Sequence, residues 1–329
     1  MTEILPQYTL FLAKTVTLVT ALLVVLVFIG HMRHKKRDEE HIEVRKLNDR
    51  YQRMGETLKT ELLPKRMLKR ELQRLKHDKK QDDKRADDQK NRVFVLNFHG
   101  DIKASALNSL REEITAVIMV ARPQDEVFVR LESSGGMVHA YGLATSQLER
   151  LKHHGIPLTV SVDKVAASGG YMMACVADKI ITAPFAIIGS IGVIAQLPNF
   201  NRLLKKNNVD FEQITAGEYK RTLTLFGENT DSGREKLKQE IEDTHSLFKE
   251  LIAEYRSDIE LPKVATGEYW YGRRAVDLKL VDELKTSDDY LLDASKEADV
   301  YEITFIEKKK LGKRLFSLMP QALERLRLT

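Results

Sequence analysis

Cysteine is almost absent from this chain, since Cys175 is the only one among its 329 residues. A single cysteine excludes an intramolecular disulfide and any zinc site built from several thiolates. Because Cys175 lies in the apolar stretch 171–177, we expect it to be a buried structural thiol and not a nucleophile. The sequence also lacks a P-loop, a glycine-rich dinucleotide fingerprint after a strand, HExxH and CxxC. It therefore predicts no metal and no cofactor.

The charge distribution does not favour nucleic-acid binding either. The formal net charge is only +5, and the basic residues concentrate in residues 33–90 and 308–327 without a recognisable nucleic-acid module. Such runs are usually solvated faces. With 31% charged and 43% hydrophobic residues, the composition is that of a globular protein with room for one large domain or two small ones.

One long apolar run covers residues 9–29, and Lys14 is its only charge. An α-helix needs about 20 such residues to cross a bilayer, and Lys14 lies near enough to one end to reach the lipid headgroups. The start of the chain has neither the basic residues nor the cleavage site of a signal peptide. We therefore predict a retained single-pass anchor in contact with membrane lipid, within an N-terminal segment 1–32.

Charged residues dominate the next segment, 33–91, in which we expect a helical stalk broken near Pro64. Its last part, 77–90, is too polar to bury a core and is typical of a flexible linker. At the other end of the chain, residues 291–329 are expected to form a strand and a basic amphipathic helix at 308–328.

The globular body, residues 92–290, alternates strand and helix patterns. Strands are predicted at 93–98, 126–131 and 156–162, and helices at 107–120, 136–153 and 233–256. Such alternation predicts an α/β domain with much parallel pairing.

Two junctions between a strand and a helix contain small polar residues. The first, ESSGG at 132–136, contains Gly135 and Gly136, whose amides could point at a developing negative charge; an ordinary tight turn is the alternative. The second, at 165–171, has Ser168 where the helix begins. A serine there is usually an N-cap, but small neighbours also expose its hydroxyl for nucleophilic attack.

A serine nucleophile needs a base, and none of the nine histidines lies in a context that suggests one. Lys220, in the loop 215–221, could lie against the body. A lysine base at neutral pH needs a pKa far below its reference value of about 10.4, which burial can supply. A surface lysine paired with Glu218 is the alternative.

Four motifs in order, at 133–136, 167–171, 189–193 and 218–220, resemble the signal peptide peptidase A family of serine–lysine proteases. The resemblance covers roughly residues 92–290. It implies an α/β, ClpP/crotonase-like domain of stacked strand–strand–helix units, here behind an N-terminal transmembrane helix and a charged helical stalk.

The family also implies a role for each motif. Ser168 would attack the peptide carbonyl, Lys220 would take and return its proton, and Ser190 would orient the lysine amine. Gly135 or Gly136, together with the Gly169 amide, would form the oxyanion hole. One departure concerns this last assignment: relatives commonly have proline at the position of Ser134.

The resemblance further implies peptide or protein substrates, of signal-peptide-like or misfolded membrane and envelope origin, and a ring-like homo-oligomer. It also implies location in a bacterial inner membrane. The basic residues after the apolar run favour a cytoplasmic body, whereas some relatives favour the periplasmic side. Two other functions compete: a non-catalytic membrane scaffold of the same fold, and a crotonase-like acyl-CoA enzyme, which would leave Lys220 without a role.

Overall fold

Short apolar runs of the sequence form the strands of the protein, and amphipathic segments form its helices. The computed structural model describes residues 11–25, 40–64, 66–71, 73 and 90–307. The strands are β1 (His41–Lys46), β2 (Arg92–Gly100), β3 (Glu126–Ser133), β4 (Leu158–Val162), β5 (Val165–Ala167), β6 (Lys179–Thr182), β7 (Ile187–Gly189), β8 (Tyr269–Tyr271), β9 (Glu283–Leu284) and β10 (Asp299–Ile306). The helices are α1 (Leu47–Leu62), α2 (Leu107–Val120), α3 (Val138–His153), α4 (Gly169–Ala174), α5 (Asn201–Lys206), α6 (Asp231–Tyr255), α7 (Leu261–Val264), α8 (Gly272–Asp277) and α9 (Ser287–Glu297).

One sheet forms the centre of the body. Its main path runs β1-β10-β2-β3-β4-β6-β9, and each neighbouring pair from β10 to β9 is parallel. Val127, Phe128 and Val129 of β3 are successive residues, so their side chains alternate between the two faces, yet all three are fully buried. Both faces of the central strands are therefore covered, as in other parallel sheets. The predicted mixed α/β class is confirmed.

Strand β3 is where the sheet divides. Residues Val127 to Arg130 pair with β4, but Ser133, at the end of the same strand, pairs with Ala166 of β5. Strand β5 then pairs in parallel with β7, and β7 pairs antiparallel with β8. This second branch brings the carboxyl ends of β3, β5 and β7 side by side, and each of these ends leads into one of the sequence motifs.

Most predicted elements of the body agree with the structure. The helix expected at 107–120 has these bounds, and the strand expected at 126–131 extends to Ser133. The helix expected from residue 136 begins at Val138 instead. Met137 is extended (φ −60°, ψ 122°), and its N–H donates to the carbonyl of Ile102 at 2.9 Å, which holds the chain out of the helix for two more residues.

Part of the predicted stalk contributes to the sheet. Strand β1 lies next to β10 at the edge, and Leu47, at the start of α1, is 3% exposed. The side chain of Asn48 accepts a hydrogen bond from the N–H of Val300 at 2.8 Å and donates to the carbonyl of Ala298 at 2.9 Å. The charged sequence of β1 gave no sign of a strand because its side chains, at the sheet edge, are exposed or half-buried.

The described residues fall into two compact units: those within 44–304 belong to one, and residues 11–25, 40–43 and 305–307 belong to the other. In the second unit, residues 11–25 are helical. No helix among the described residues is long and apolar enough to cross a membrane, and the predicted anchor at 9–29 extends past the described residues at both ends. The predicted C-terminal helix at 308–328 and most of the predicted linker also lie outside the described residues.

Candidate active site

Ser168 occupies the turn between β5 and α4. Its backbone has φ 52° and ψ −120°, a region that residues with a Cβ rarely adopt. The serine is half-buried, and its N–H donates to the carbonyl of Gly189 at 2.7 Å. Ser168 occupies the N-cap position of α4, as the N-cap alternative predicted, but its side chain makes no capping hydrogen bond. Its hydroxyl makes no hydrogen bond to any described residue. A strained strand-to-helix turn that presents a serine hydroxyl is typical of hydrolase nucleophiles.

The SSGG turn lies directly against Ser168. Gly135 has φ 86°, and a Cβ atom added to it would lie 2.8 Å from the Cβ of Ser168 and 2.7 Å from the nitrogen of Gly169. Real side-chain carbons do not approach other atoms this closely, so only glycine fits at position 135. The tertiary structure therefore brings the two predicted turns, 33 residues apart in the sequence, into contact.

The amides of these turns differ in what they bind. The N–H of Gly135 donates to the hydroxyl oxygen of Ser133 at 3.0 Å, so it is already engaged. The N–H of Gly136 makes no hydrogen bond within the described part of the chain. Gly169 is the first residue of α4, where a backbone N–H has no acceptor inside the helix. Among the described residues, the amides of Gly136 and Gly169 thus have no hydrogen-bond acceptor.

Ser190 is the counterpart of Ser168 on the next strand. Because Ala167 pairs with Gly189, the two serines follow their strands at the same register. Ser190 also has a positive φ, 51°. It is half-buried, and its N–H donates to the carbonyl of Glu268 at 2.7 Å. The predicted site residues Ser168 and Ser190 therefore lie side by side at the carboxyl ends of two neighbouring parallel strands.

No hydrogen bond or ion pair among the described residues joins Lys220 to this cluster. It is exposed, its N–H donates to the carbonyl of Gly217 at 3.1 Å, and its amine has no hydrogen-bond or ion-pair partner among the described residues. The pairing with Glu218 considered from the sequence does not form there either. The ring of the neighbouring Tyr219 lies 5.2 Å from the Nζ of Lys236 on α6. Loop 215–221 is thus near the start of α6.

The segment 192–226, which contains Lys220, exposes many apolar side chains. Ile194 is 82% exposed and Ile214 is 96% exposed. Phe211 and Phe226 pack on each other with ring centroids 5.8 Å apart, yet both remain partly open to solvent. This segment therefore presents an apolar surface that the described residues do not cover.

Sequence reasoning missed Tyr141, which contacts both turns. Its hydroxyl lies 2.5 Å from that of Ser133 and donates to the carbonyl of Asp101 at 2.8 Å. Its ring packs against Gly169, and a Cβ atom added to that glycine would lie 2.5 Å from the ring. The tyrosine is fully buried on α3. Its position in an ordinary amphipathic helix pattern offers no signal of this role.

Other chemistries have little basis in the described residues. Cys175 is fully buried, and burial raises the pKa of its thiol to about 12, so the predicted burial is confirmed. No cluster of three or more histidine, cysteine, aspartate or glutamate side chains that could hold a metal ion occurs in the ranges that the structure describes.

Almost the whole chain matches one protein family. Residues 3–148 match the family model described as "Peptidase family S49 N-terminal", and residues 150–301 match the one described as "Peptidase family S49". The chain therefore belongs to peptidase family S49, and its class is that of a proteolytic hydrolase. The resemblance to the signal peptide peptidase A family is confirmed.

Three individual proteins with similar sequences are proteases by name. The chain is similar to "Probable protease SohB" of Haemophilus influenzae, with 46% identity over 327 residues that cover 95% of this chain and 92% of the relative. A protein of the same name from Buchnera aphidicola is 47% identical over 95% of this chain and 93% of its own. "Protease 4" of Haemophilus influenzae is 30% identical over 59% of this chain and 33% of that protein.

Among solved structures, a mutant of the 1510-N membrane-bound stomatin-specific protease matches with a TM-score of 0.43 and 16% identity. The match covers 62% of this chain and 84% of that one.

Proposed function

We propose that the chain is a serine endopeptidase in which Ser168 is the nucleophile and Lys220 the general base. One observation carries the proposal: Ser168 is a half-buried serine with φ 52°, and the unpartnered amides of Gly136 and Gly169 belong to the two turns that meet there. A nucleophile held on a strained turn beside free N–H groups suits acyl transfer, because these groups stabilise the oxyanion of the tetrahedral intermediate.

The proposed reaction has two stages. The Oγ of Ser168 bonds to the carbonyl carbon of the substrate while its proton passes to the amine of Lys220. The intermediate then collapses, the C–N bond breaks, and the lysine ammonium gives its proton to the leaving amine. Water, deprotonated by the same lysine, hydrolyses the acyl-enzyme and restores the free serine.

The oxyanion would be bound by Gly136 and Gly169. The sequence left Gly135 and Gly136 as alternatives, and the hydrogen bond from Gly135 to Ser133 favours Gly136. In this proposal Gly135 shapes the turn, since its φ of 86° and its contact with Ser168 require glycine. Removal of one oxyanion donor typically slows an enzyme by about 10²–10³-fold.

Lys220 would become part of the site when copies of the chain assemble. Its exposure in the single chain and the uncovered apolar segment 192–226 support a ring-like homo-oligomer. A neighbouring copy packed on this segment would remove water from the lysine amine. A lysine that acts as a base needs such desolvation, because it disfavours the charged form of the amine. Ser190, beside Ser168 on the next strand, would accept a hydrogen bond from that amine and orient it.

We further propose that the protein is anchored in a bacterial inner membrane by residues 9–29 and cuts signal-peptide-like or misfolded membrane and envelope polypeptides. The apolar run of 9–29 supports the anchor. The second sheet branch from β3 to β7 supports the ClpP/crotonase-like arrangement of strand–strand–helix units.

Hydrolysis of casein by the detergent-solubilised full chain tests the proposal. We compare wild type with Ser168→Ala and Lys220→Ala, and we use Lys206→Ala as the matched control because Lys206 is an exposed lysine of the same segment. We expect wild type and Lys206→Ala to cut, and the two other variants to lose activity at unchanged folding and assembly.

Other outcomes separate the alternatives. Continued cutting by Ser168→Ala and Lys220→Ala would reject the dyad. An inert wild type that still assembles would favour the non-catalytic scaffold.

A further inference from the structure

We propose that Tyr141 is a positioning residue that sets the oxyanion site through a directed chain of hydrogen bonds, an inference that rests on the proposed function above. This series of hydrogen bonds begins at the N–H of Gly135, passes through the hydroxyls of Ser133 and Tyr141, and ends at the carbonyl of Asp101.

The direction of each hydrogen bond follows from the groups at its ends. A carbonyl oxygen only accepts, so the single proton of the Tyr141 hydroxyl is committed to Asp101 at 2.8 Å. The tyrosine oxygen must then accept the proton of Ser133 at 2.5 Å. With its own proton committed, the Ser133 oxygen accepts the N–H of Gly135 at 3.0 Å. Each hydroxyl therefore both donates and accepts, and the order is unique.

This order engages the amide of Gly135 and so distinguishes it from the amide of Gly136. Because Ser133 accepts the Gly135 N–H, that amide is bound on the Ser133 side of the turn, and the next amide, of Gly136, is left without a partner in the described chain. Without the tyrosine hydroxyl, the Ser133 hydroxyl would lose its present acceptor and could rotate away from Gly135. The turn would then lose the hydrogen bond that orients it.

The ring of the same side chain supports the other half of the oxyanion site. Gly169 contacts the ring so closely that an added Cβ would lie 2.5 Å from the ring atom Cγ of Tyr141. Phe98 packs on the ring edge-to-face, with centroids 6.4 Å apart. Tyr141 and Ser133 are 0% and 2% exposed, so these contacts are shielded from water. One buried side chain thus contacts both backbone segments that carry the proposed donors.

Tyr171 offers a matched control. It is also fully buried, and its hydroxyl donates to the carbonyl of Leu280 at 2.9 Å. Tyr141→Phe and Tyr171→Phe each remove one buried hydroxyl and one hydrogen bond to a carbonyl, and each keeps the ring. Only the first removes the link to Ser133. A purely structural role of Tyr141 therefore predicts the same result for both variants.

Two measurements on the full chain test the inference. The first is kcat and KM for fluorescently labelled casein, and the second is the rate at which a fluorophosphonate labels Ser168, since the phosphoryl oxygen of this probe takes the place of the oxyanion. We expect Tyr141→Phe to lower kcat and the labelling rate at least tenfold with KM changed less than twofold. Tyr171→Phe should leave all three within twofold of wild type.

Equal effects of the two tyrosine variants would overturn the inference. Ser133→Ala gives a second test. The double variant of Ser133→Ala and Tyr141→Phe should lose no more activity than the more impaired single variant. Additive losses would show that the two hydroxyls do not act through one series of hydrogen bonds. Ser168→Ala separates the two proposals. If it still cuts casein, the proposed nucleophile fails, whereas an inactive Ser168→Ala with a fully active Tyr141→Phe rejects only the positioning role.

Discussion

Ser168 and Ser190 follow neighbouring parallel strands at the same register, and their φ angles are 52° and 51°. The N–H of Ser168 donates to the carbonyl of Gly189, the residue before Ser190, at 2.7 Å. The two turns are therefore tied together through the backbone. A residue with a Cβ in such a conformation costs about 1–3 kcal/mol, so the fold maintains strain at both serines that we propose to act in catalysis.

We expect Ser168→Gly to be more stable than Ser168→Ala by about 1 kcal/mol, because glycine adopts this conformation without a Cβ penalty. Urea unfolding in detergent measures the difference, and both variants should lack proteolysis. Ser109 in helix α2 is the control, since glycine there should be about 1 kcal/mol less stable than alanine. The same order at both positions would show that Ser168 is not strained.

Gly135→Ala should lower both stability and activity, because its new Cβ would collide with Ser168 and with the amide of Gly169. We expect a loss of at least tenfold in kcat for casein, as the oxyanion turn must move. Gly142→Ala is the matched change: this glycine lies in helix α3 and an added Cβ meets nothing within 4 Å. It should gain about 0.5–1 kcal/mol in the free energy of unfolding and keep its activity. An active Gly135→Ala would argue against this turn as part of the site.

If Lys220 acts on the serine of a neighbouring copy, two inactive variants should complement each other. We expect a mixture of Ser168→Ala and Lys220→Ala, dissociated and reassembled together, to recover proteolysis, because some sites would combine an intact serine with an intact lysine. Casein hydrolysis before and after mixing measures the recovery. Each variant reassembled alone is the control. A mixture that stays inactive although the copies exchange would assign both residues to one chain.

Protonation of Asp125 in acid should lower the free energy of unfolding. Its carboxylate is fully buried between Arg92 and Arg122; burial alone would raise its pKa, but hydrogen bonds from the two arginines outweigh burial and hold the pKa well below its usual range. A lowered folded-state pKa stabilises the fold fully above the unfolded value of about 3.9, and this contribution is lost as the pH falls below it.

Asp125→Asn should therefore lower the free energy of unfolding by about 3 kcal/mol at pH 7, because two arginines lose their buried partner. The difference from wild type should shrink towards pH 3. Urea unfolding at both pH values measures it. In the control Asp293→Asn, the aspartate is exposed between Lys285 and Lys296, and stability should change little. A pH-independent deficit in Asp125→Asn would mean that packing, not charge, accounts for it.

The sequence by itself determined the elements and the motifs of this protein. Helix α2 and strand β3 could be predicted because hydrophobic periodicity depends only on neighbouring residues. The turns at Gly135 and Ser168 could also be found, since small residues between a strand and a helix leave a local pattern. The buried role of Cys175 followed in the same way from its apolar neighbours.

Only the tertiary structure decided how these parts meet. The division of the sheet at β3 depends on pairing between residues far apart in the chain, such as Ser133 with Ala166, and this pairing places Gly135 against Ser168. The contacts of Tyr141 with Ser133 and Asp101 depend on the same packing. Lys220 shows the converse: its motif is local and could be found in the sequence, but only the tertiary structure shows that its side chain is exposed.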